Sequence, residues 1–337
     1  MKGVIKMGEE ERYRALAEKI FMGNSALIPL LFEMIATPEE ADMLLALPAT
    51  ASALSENLGK SGEEVQGMLD TLYRKGLVFK KQTPDGTLYR LCRDLMQFHD
   101  ASILWPEAPR EYLDLWQRFM EEEWPAFSEM VDKILPRPVA RIVPVGETVE
   151  GRQQILAYED VRQMIEDAET IAVTNCTCRL TARKCDRPVE ICLQIGKAGE
   201  YTIDRGSGRK IDKEEALALL RKAEEAGLIH TTMNRAEDTH FICNCCNDCC
   251  MTFPMLINRK LHLCDPSRFG ARVDVELCSG CGDCLERCYF GALALDDEKG
   301  VAVVDADACM GCGLCQVVCP EEAINLEVVR EEDFIPV

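Results

Sequence analysis

The chain has 337 residues, of which 19 are cysteine, and its 38 basic and 58 acidic side chains leave a net charge of −20. This length suits two or three domains, and a hydrophobic content of 47% excludes a disulfide miniprotein or a disordered chain. The deficit of lysine and arginine disfavours nucleic acid as a partner. No apolar run has the length of a signal peptide or a membrane span, so we expect a cytoplasmic protein, no membrane partner, and cysteines that serve as thiols or metal ligands.

Residues 1–99 are predicted to form a winged-helix-like domain. Thr37 and Ser61 each begin a capping-box sequence, and a short helix and a hairpin complete the pattern. This order of elements resembles a winged helix-turn-helix domain. The predicted recognition helix starts with Glu63 and Glu64, which would face phosphate oxygens, so the sequence favours a docking module over a DNA-binding one. A redox-sensing regulator that uses the winged helix is an alternative.

Residues 100–267 are predicted to form a Cys-rich domain of mixed α and β structure. A helix is expected over 158–168, a strand over 171–174 leads into Cys176, and Asp212 caps a further helix. The three tryptophans of the chain lie at helical, aromatic-rich positions and are interpreted as core residues: Trp105, Trp116 and Trp124.

Nine cysteines of this middle region are predicted to hold a further metal centre: Cys176, Cys178, Cys185, Cys192, Cys243, Cys245, Cys246, Cys249 and Cys250. Their C-x-C and C-C spacings do not suit a zinc knuckle, which favours C-x₂₋₄-C. They put sulfurs on opposite sides of an extended chain, so one segment could serve two centres or bridge a larger cluster. An extra iron–sulfur centre is the leading interpretation, and zinc or redox-active thiols are the alternatives.

Several polar residues of the middle region stay uncertain as ligands. Arg179 offers positive charge and N–H donors beside the sulfurs, or is a solvated surface residue. Asp248 interrupts the second cysteine run, which leaves the ligand count open. Three histidines are interpreted as ordinary core or surface residues: His230, His240 and His262. Cys92 and Cys264 are expected to be buried thiols.

Residues 268–337 contain the run C-x₂-C-x₂-C-x₃-C twice. This is an iron–sulfur signature in which the fourth cysteine of each run ligates the other cluster. The first predicted [4Fe-4S] cluster is therefore held by Cys278, Cys281, Cys284 and Cys319. The second is held by Cys309, Cys312, Cys315 and Cys288. Gly280, Gly282, Gly311 and Gly313 allow the backbone to approach closely. Zinc is the alternative metal.

The segment 271–326 resembles the bacterial two-[4Fe-4S] ferredoxin domain. The resemblance implies a βαββαβ fold and one-electron transfer between two clusters. Tyr289 departs from the proline that often follows the fourth cysteine in that family, but no ligand is lost. Over 158–326, the combination C-x-C-R, C-N-C-C and ferredoxin motif resembles a group of Cys-rich cytosolic iron–sulfur proteins from anaerobic metabolism.

These patterns predict an α+β multidomain iron–sulfur protein that passes single electrons through two [4Fe-4S] clusters to or from the middle centre. Residues 270–337 carry 4 basic and 15 acidic side chains, which favours a redox partner protein with a basic docking patch. No G-x-G-x-x-G or Walker A run occurs, so a self-contained reductase is disfavoured. An oxidoreductase subunit with substrate at the middle centre is a further alternative.

Overall fold

The structure is a computed structural model that describes residues 8–145, 159–237 and 239–336. It is a mixed α/β protein with fifteen α-helices and several sheets in these described ranges. None of the helices that it describes has the length and apolar character needed to cross a bilayer. Position 158 of the helix predicted over 158–168 lies outside the described residues, and within the described part the helix runs over Val161–Asp167.

The chain forms two compact units. The first unit ends at Trp124 and also takes in Asp204–Ser207, and the second holds the remainder. The helices of the first unit are α1 (Glu9–Lys19), α2 (Leu27–Ile35), α3 (Pro38–Leu45), α4 (Ala51–Leu58), α5 (Gly62–Arg74), α6 (Leu95–Ile103) and α7 (Arg110–Glu122). Its strands are β1 (Ala49–Thr50), β2 (Val78–Thr83) and β3 (Gly86–Leu91).

Capping boxes begin α3 and α5, as the sequence predicts. Thr37 Oγ1 accepts a hydrogen bond from the backbone N–H of Glu40 at 3.2 Å, and Ser61 Oγ accepts one from Glu64 at 3.3 Å. Both glutamates return the bond to the cap residue's N–H. β2 and β3 form the predicted hairpin, and β1 pairs with β3 to complete an antiparallel sheet of three strands. The predicted helices and hairpin are confirmed.

An aromatic core stabilises the first unit. Trp116 is fully buried, and its ring lies 5.1 Å from that of Phe98 and 5.7 Å from that of Phe119. Phe98 in turn stacks on Phe32 at 4.2 Å between ring centroids. These offset and edge contacts are the geometry that aromatic pairs prefer. The prediction that Trp116 is a core residue is confirmed.

A seven-stranded sheet organises the middle region within the second unit. The strands of this region are β4 (Ala140–Val143), β5 (Ile171–Asn175), β6 (Glu190–Ile195), β7 (Arg209–Ile211), β8 (Ile229–Met233), β9 (Phe241–Cys245) and β10 (Cys264–Asp265). Their order is β10-β4-β8-β9-β6-β5-β7, and all neighbours are antiparallel except β10 and β4. Apolar residues of β5, β6 and β9 pack against the helix capped by Asp212, which forms a core beneath the sheet.

Six described helices precede or connect the strands of this sheet along the chain. They are α8 (Trp124–Ile134), α9 (Val161–Asp167), α10 (Thr177–Ala182), α11 (Lys197–Arg205), α12 (Lys213–Glu225) and α13 (Phe253–Arg259). Asp212 Oδ1 caps α12 by accepting from the N–H of Glu215 at 2.8 Å, which confirms the predicted cap. The predicted strand before Cys176 is β5, and it ends one residue before that cysteine.

The C-terminal region has the element order β11–α14–β12–β13–α15–β14. These elements are β11 (Phe269–Val273), α14 (Asp283–Arg287), β12 (Leu293–Leu295), β13 (Ala302–Val304), α15 (Leu314–Val317) and β14 (Ile324–Val328), followed by a 3₁₀ turn at Glu332–Phe334. β11 pairs with β14 and β12 with β13, both antiparallel. The pairing of β11 with β14 thus brings the two ends of this region together. Residues from both strand pairs pack in a core rich in cysteine.

Candidate metal centres

The eight C-terminal cysteines surround two separate cavities. One cavity is lined by four of them, which are Cys278, Cys281, Cys284 and Cys319. The other is lined by Cys288, Cys309, Cys312 and Cys315. In each set, three cysteines come from one sequence run and the fourth comes from the other run. The structure therefore brings together the same two groups of four that the sequence predicts as ligand sets.

A 31-residue repeat relates these two cavities. Cys278 accepts a hydrogen bond from the N–H of Ala302 at 3.4 Å, and Cys309, 31 residues later, accepts one from Ala271 at 3.5 Å. A second pair of equivalent bonds follows the same repeat. The N–H of Ala292 donates to the sulfur of Cys288, and the N–H of Ala323 donates to the sulfur of Cys319, at 3.3 Å each. N–H donors aimed at sulfur stabilise a thiolate and tune the potential of an iron–sulfur cluster.

Glycine makes the turns around the cavities possible. Gly311 has φ of +64°, and a Cβ there would collide with the carbonyl oxygen of Phe269. Gly280, 31 residues earlier, has φ of +69°, and a Cβ there would collide with the carbonyl oxygen of Gly300. Only glycine suits both the left-handed backbone and this close approach. The prediction that glycines permit the tight loops is confirmed at these two positions.

The cavities differ in their access to solvent. Cys281 is the exposed cysteine of the first set, whereas Cys309 and Cys315 of the second set are buried. Burial raises the pKa of Cys312 to about 12, and it also raises the pKa of Cys315. Thiols in this environment keep their protons at neutral pH unless a metal displaces them. The second cavity is therefore suited to a metal centre that is shielded from water.

Six of the nine middle cysteines form what we call the six-thiol ring, in which each side chain lies near the next and shifts its pKa. In order around the ring, they are Cys176, Cys178, Cys250, Cys245, Cys243 and Cys192. Strand β9 supplies two of them at alternate positions, and the end of β5 and strand β6 supply others. The expectation that C-x-C spacing puts sulfurs on opposite sides of the chain is wrong here, because alternate residues of a strand point to the same face and Cys243 and Cys245 therefore share one side of β9.

Two members of the ring have a lowered pKa. The pKa of Cys176 is lowered because Cys178 and Cys192 hydrogen-bond to it. The pKa of Cys250 is lowered because Cys178 and Cys245 hydrogen-bond to it. Cys250 also accepts from the backbone N–H of Thr252 at 3.4 Å. A lowered pKa favours the thiolate form, which is the form that ligates a metal.

Arg179 places a buried cation beside the ring. It is 2% exposed, and one of its nitrogens donates to the carbonyl oxygen of Asn244 at 3.0 Å. Its Nε and its other terminal nitrogen have no acceptor among the described residues. Burial alone would lower the pKa of Arg179, but the charges of Cys176 and Cys192 outweigh burial and raise it. An anionic cluster would give these orphaned donors acceptors, so the site suits such a group.

The other three middle cysteines lie together with an aspartate in what we call the Cys₃Asp group, which is Cys185, Cys246, Cys249 and Asp248. Their ligand atoms all lie within 4.8 Å of one another, and the two sulfurs of Cys185 and Cys249 are 3.7 Å apart. From the sequence, Asp248 is notable only because it interrupts a cysteine run. Its proximity to Cys185, 63 positions earlier in the chain, depends on the fold.

An apolar cluster joins the second C-terminal cavity to the six-thiol ring. Cys245 and Cys250 of the ring share this cluster with Cys312 and Phe290. The ring of Phe290 lies 5.8 Å from that of Phe253 in an edge contact, where α13 follows the last cysteine of the middle run. The carbonyl of Cys312 accepts from the N–H of Val145 at 3.0 Å. This cluster places the two thiol-rich regions side by side.

The histidines bond to protein neighbours. His230 is fully buried, with Nδ1 2.6 Å from the side-chain oxygen of Asn244 and Nε2 3.2 Å from Glu224. His262 Nε2 lies 2.6 Å from a carboxylate oxygen of Asp265. Cys92 and Cys264, which the sequence predicts to be buried thiols, are 2% and 1% exposed, so that prediction is confirmed.

Residues 271–326 match the family model described as a 4Fe-4S dicluster domain. The C-terminal region is thus an iron–sulfur domain of ferredoxin type, and its cysteines and those of the middle region support an iron–sulfur electron-transfer role. Comparison of the chain with curated proteins and with solved structures gives no match. The wider resemblance over 158–326 stays a prediction.

Proposed function

We propose that this protein is a multi-centre electron carrier in which the two C-terminal cavities each hold a [4Fe-4S] cluster. Cluster 1 is held by Cys278, Cys281, Cys284 and Cys319. Cluster 2 is held by Cys288, Cys309, Cys312 and Cys315. The observation that carries this proposal is the exchange of the fourth cysteine between two cavities related by the 31-residue repeat. The bound clusters would supply one-electron transfer.

The proposed route runs from cluster 1 through cluster 2 to the six-thiol ring. The exposure of Cys281 supports cluster 1 as the site of exchange with an external partner. Cluster 2 is placed between cluster 1 and the ring because Cys312 belongs to the same apolar cluster as the ring cysteines Cys245 and Cys250. The apolar side chains of this cluster exclude water from the space between cluster 2 and the six-thiol ring, which keeps cluster 2 between cluster 1 and the ring.

The six-thiol ring is proposed to hold a further iron–sulfur centre. The unpaired buried donors of Arg179 support an anionic cluster, because sulfide and thiolate would accept them. The guanidinium charge would also stabilise the reduced, more negative state of such a centre. Its type is not implied by the family match, which begins at residue 271 and so does not include the ring.

The charge of the C-terminal region supports a basic redox partner. Its 4 basic and 15 acidic side chains give residues 270–337 a net charge of −11, more than half of the −20 of the chain. A field of one sign steers a partner of the opposite sign to the exposed side of cluster 1. A cytoplasmic location is part of the same proposal, since thiolate centres persist in reducing compartments.

The N-terminal unit is proposed to be a winged-helix docking module. The order α3–β1–α4–α5–β2–β3 with its three-stranded sheet supports that architecture. The exposed Glu63 and Glu64 at the start of α5 favour docking over phosphate contacts. A redox-sensing regulator is the second candidate on the same element order, and failure to shift promoter DNA in either redox state would remove it.

Anaerobic iron and sulfide analysis with EPR spectroscopy tests the carrier proposal. We expect at least about 8 irons per chain and the signals of reduced [4Fe-4S] clusters. Cys315→Ala should lose the cluster 2 signal, whereas Cys92→Ala should keep it, because Cys92 is a buried thiol of the first unit. Fewer than about 8 irons in the wild-type chain would refute the two-cluster assignment.

A further inference from the structure

The Cys₃Asp group has the composition of a metal site. Cys185 comes from the loop after α10, and the other three members come from the turn that follows β9. Cys246 is 1% exposed and Cys249 7%, so these two thiols are inside the protein, while Cys185 is partly buried and the side chain of Asp248 is 31% exposed. Three thiols and one carboxylate from two separate segments are a ligand set that a single ion would join.

The distances fit one ion and not a cubane. Tetrahedral coordination with metal–sulfur bonds of about 2.3 Å separates two ligand sulfurs by about 3.8 Å. The sulfurs of Cys185 and Cys249 are 3.7 Å apart. A [4Fe-4S] cluster instead holds its thiolates apart around a cage of iron and sulfide, as around the C-terminal cavities. Among the described residues, this group alone has three or more potential ligand atoms within 4.8 Å of one another.

We propose that Cys185, Cys246, Cys249 and Asp248 bind a single tetrahedral zinc ion, separate from the iron–sulfur centres. Thiolate and carboxylate ligands in a four-coordinate arrangement suit zinc, and four protein ligands make a closed, structural site. The nine middle cysteines therefore serve two centres. The site does not depend on the electron-transfer role.

Adjacent cysteines divide between the two middle centres. Cys245 belongs to the six-thiol ring and Cys246 to the Cys₃Asp group. Cys250 and Cys249 divide in the same way. Cys245 ends β9 and its neighbour Cys246 points to the other side, whereas Cys249 and Cys250 lie at the end of the turn that follows. The zinc ligands and the six ring cysteines therefore have no residue in common.

Neighbouring polar groups orient the aspartate. Its Oδ1 accepts from the N–H of Cys249 at 2.8 Å, and its Oδ2 lies 3.3 Å from the guanidinium of Arg187. Arg187 also donates to the hydroxyl of Tyr289 at 3.0 Å. Four anionic ligands on a divalent ion leave a net negative charge, which Arg187 offsets. Such outer partners fix ligand geometry and raise metal affinity.

Metal analysis of the anaerobically purified full chain tests the proposal. We expect about one zinc per chain beside the iron, with an X-ray absorption shell of sulfur at about 2.3 Å and oxygen at about 2.0–2.2 Å. Cys185→Ala should remove the zinc and leave the iron content and the [4Fe-4S] EPR signals unchanged. Asp186→Asn, which alters an exposed neighbour, should keep the zinc.

Asp248→Asn provides a second variant should Cys185→Ala fold poorly. It should bind zinc at least about tenfold more weakly in competition with a chromophoric chelator. Absence of zinc from the wild-type chain, or loss of iron instead of zinc in either variant, would overturn the proposal. Failure of the carrier proposal would appear separately, as missing [4Fe-4S] signals with zinc retained.

Discussion

The two cysteine-rich regions of this protein use thiols in different ways. The eight C-terminal cysteines surround two cavities, whereas three middle cysteines lie within 4.8 Å of one another and of Asp248. Glycine turns with repeated C-x₂-C spacing wrap the backbone around a volume that a preformed cluster can fill. On a strand, C-x-C spacing brings two sulfurs to one side, whereas C-C spacing sends adjacent sulfurs to different sides. Backbone geometry therefore sets the kind of centre that each region can build.

The largest expected effect comes from a substitution that adds an atom where the backbone turns beside the second cavity. Gly311→Ala puts a Cβ against the carbonyl oxygen of Phe269, so we expect loss of cluster 2, about four irons per chain. Gly300→Ala is the matched control, because Gly300 has nearly the same φ, +65°, with open space at the Cβ position. Iron analysis and EPR of both variants measure the difference. Equal iron loss in the two would show that backbone strain alone accounts for the effect.

A second test acts on the middle region alone. Arg179→Gln removes the buried cation beside Cys176 and Cys192, so we expect the pKa of Cys176 to rise and the metal content of the six-thiol ring to fall. The C-terminal [4Fe-4S] signals should persist. Arg221→Gln changes an exposed arginine of the same unit and should alter neither. Unchanged metal content in Arg179→Gln would remove the proposed link between this cation and the ring.

The smallest expected effect concerns the contact between the regions. The hydroxyl of Tyr289 accepts from Arg187 and donates to the carbonyl of Gly227, each at 3.0 Å. Tyr289→Phe removes both bonds, so we expect a loss of about 1–3 kcal/mol in unfolding free energy with full iron content. Anaerobic denaturant unfolding measures it. A loss of iron would mean that this residue supports cluster 2 directly.

Local signals predicted much of the fold. The capping boxes at Thr37 and Ser61 and the cap at Asp212 depend on bonds between residues three positions apart, so sequence alone suffices to find them. The strand before Cys176 was likewise visible as a short apolar run. The sheet order β10-β4-β8-β9-β6-β5-β7 was not predicted, because strand pairing joins segments far apart in the chain.

The two groups of four C-terminal cysteines could be predicted from the sequence, because three of each lie in one C-x₂-C-x₂-C run and the duplicated signature pairs each run with the fourth cysteine of the other. The division of the nine middle cysteines required the tertiary structure. Cys185 and Cys249 meet across 64 positions, and that approach depends on the fold around β9. The spacing of adjacent cysteines predicts that their sulfurs point apart. Which other cysteines each sulfur lies beside depends on packing between segments that are far apart in the chain.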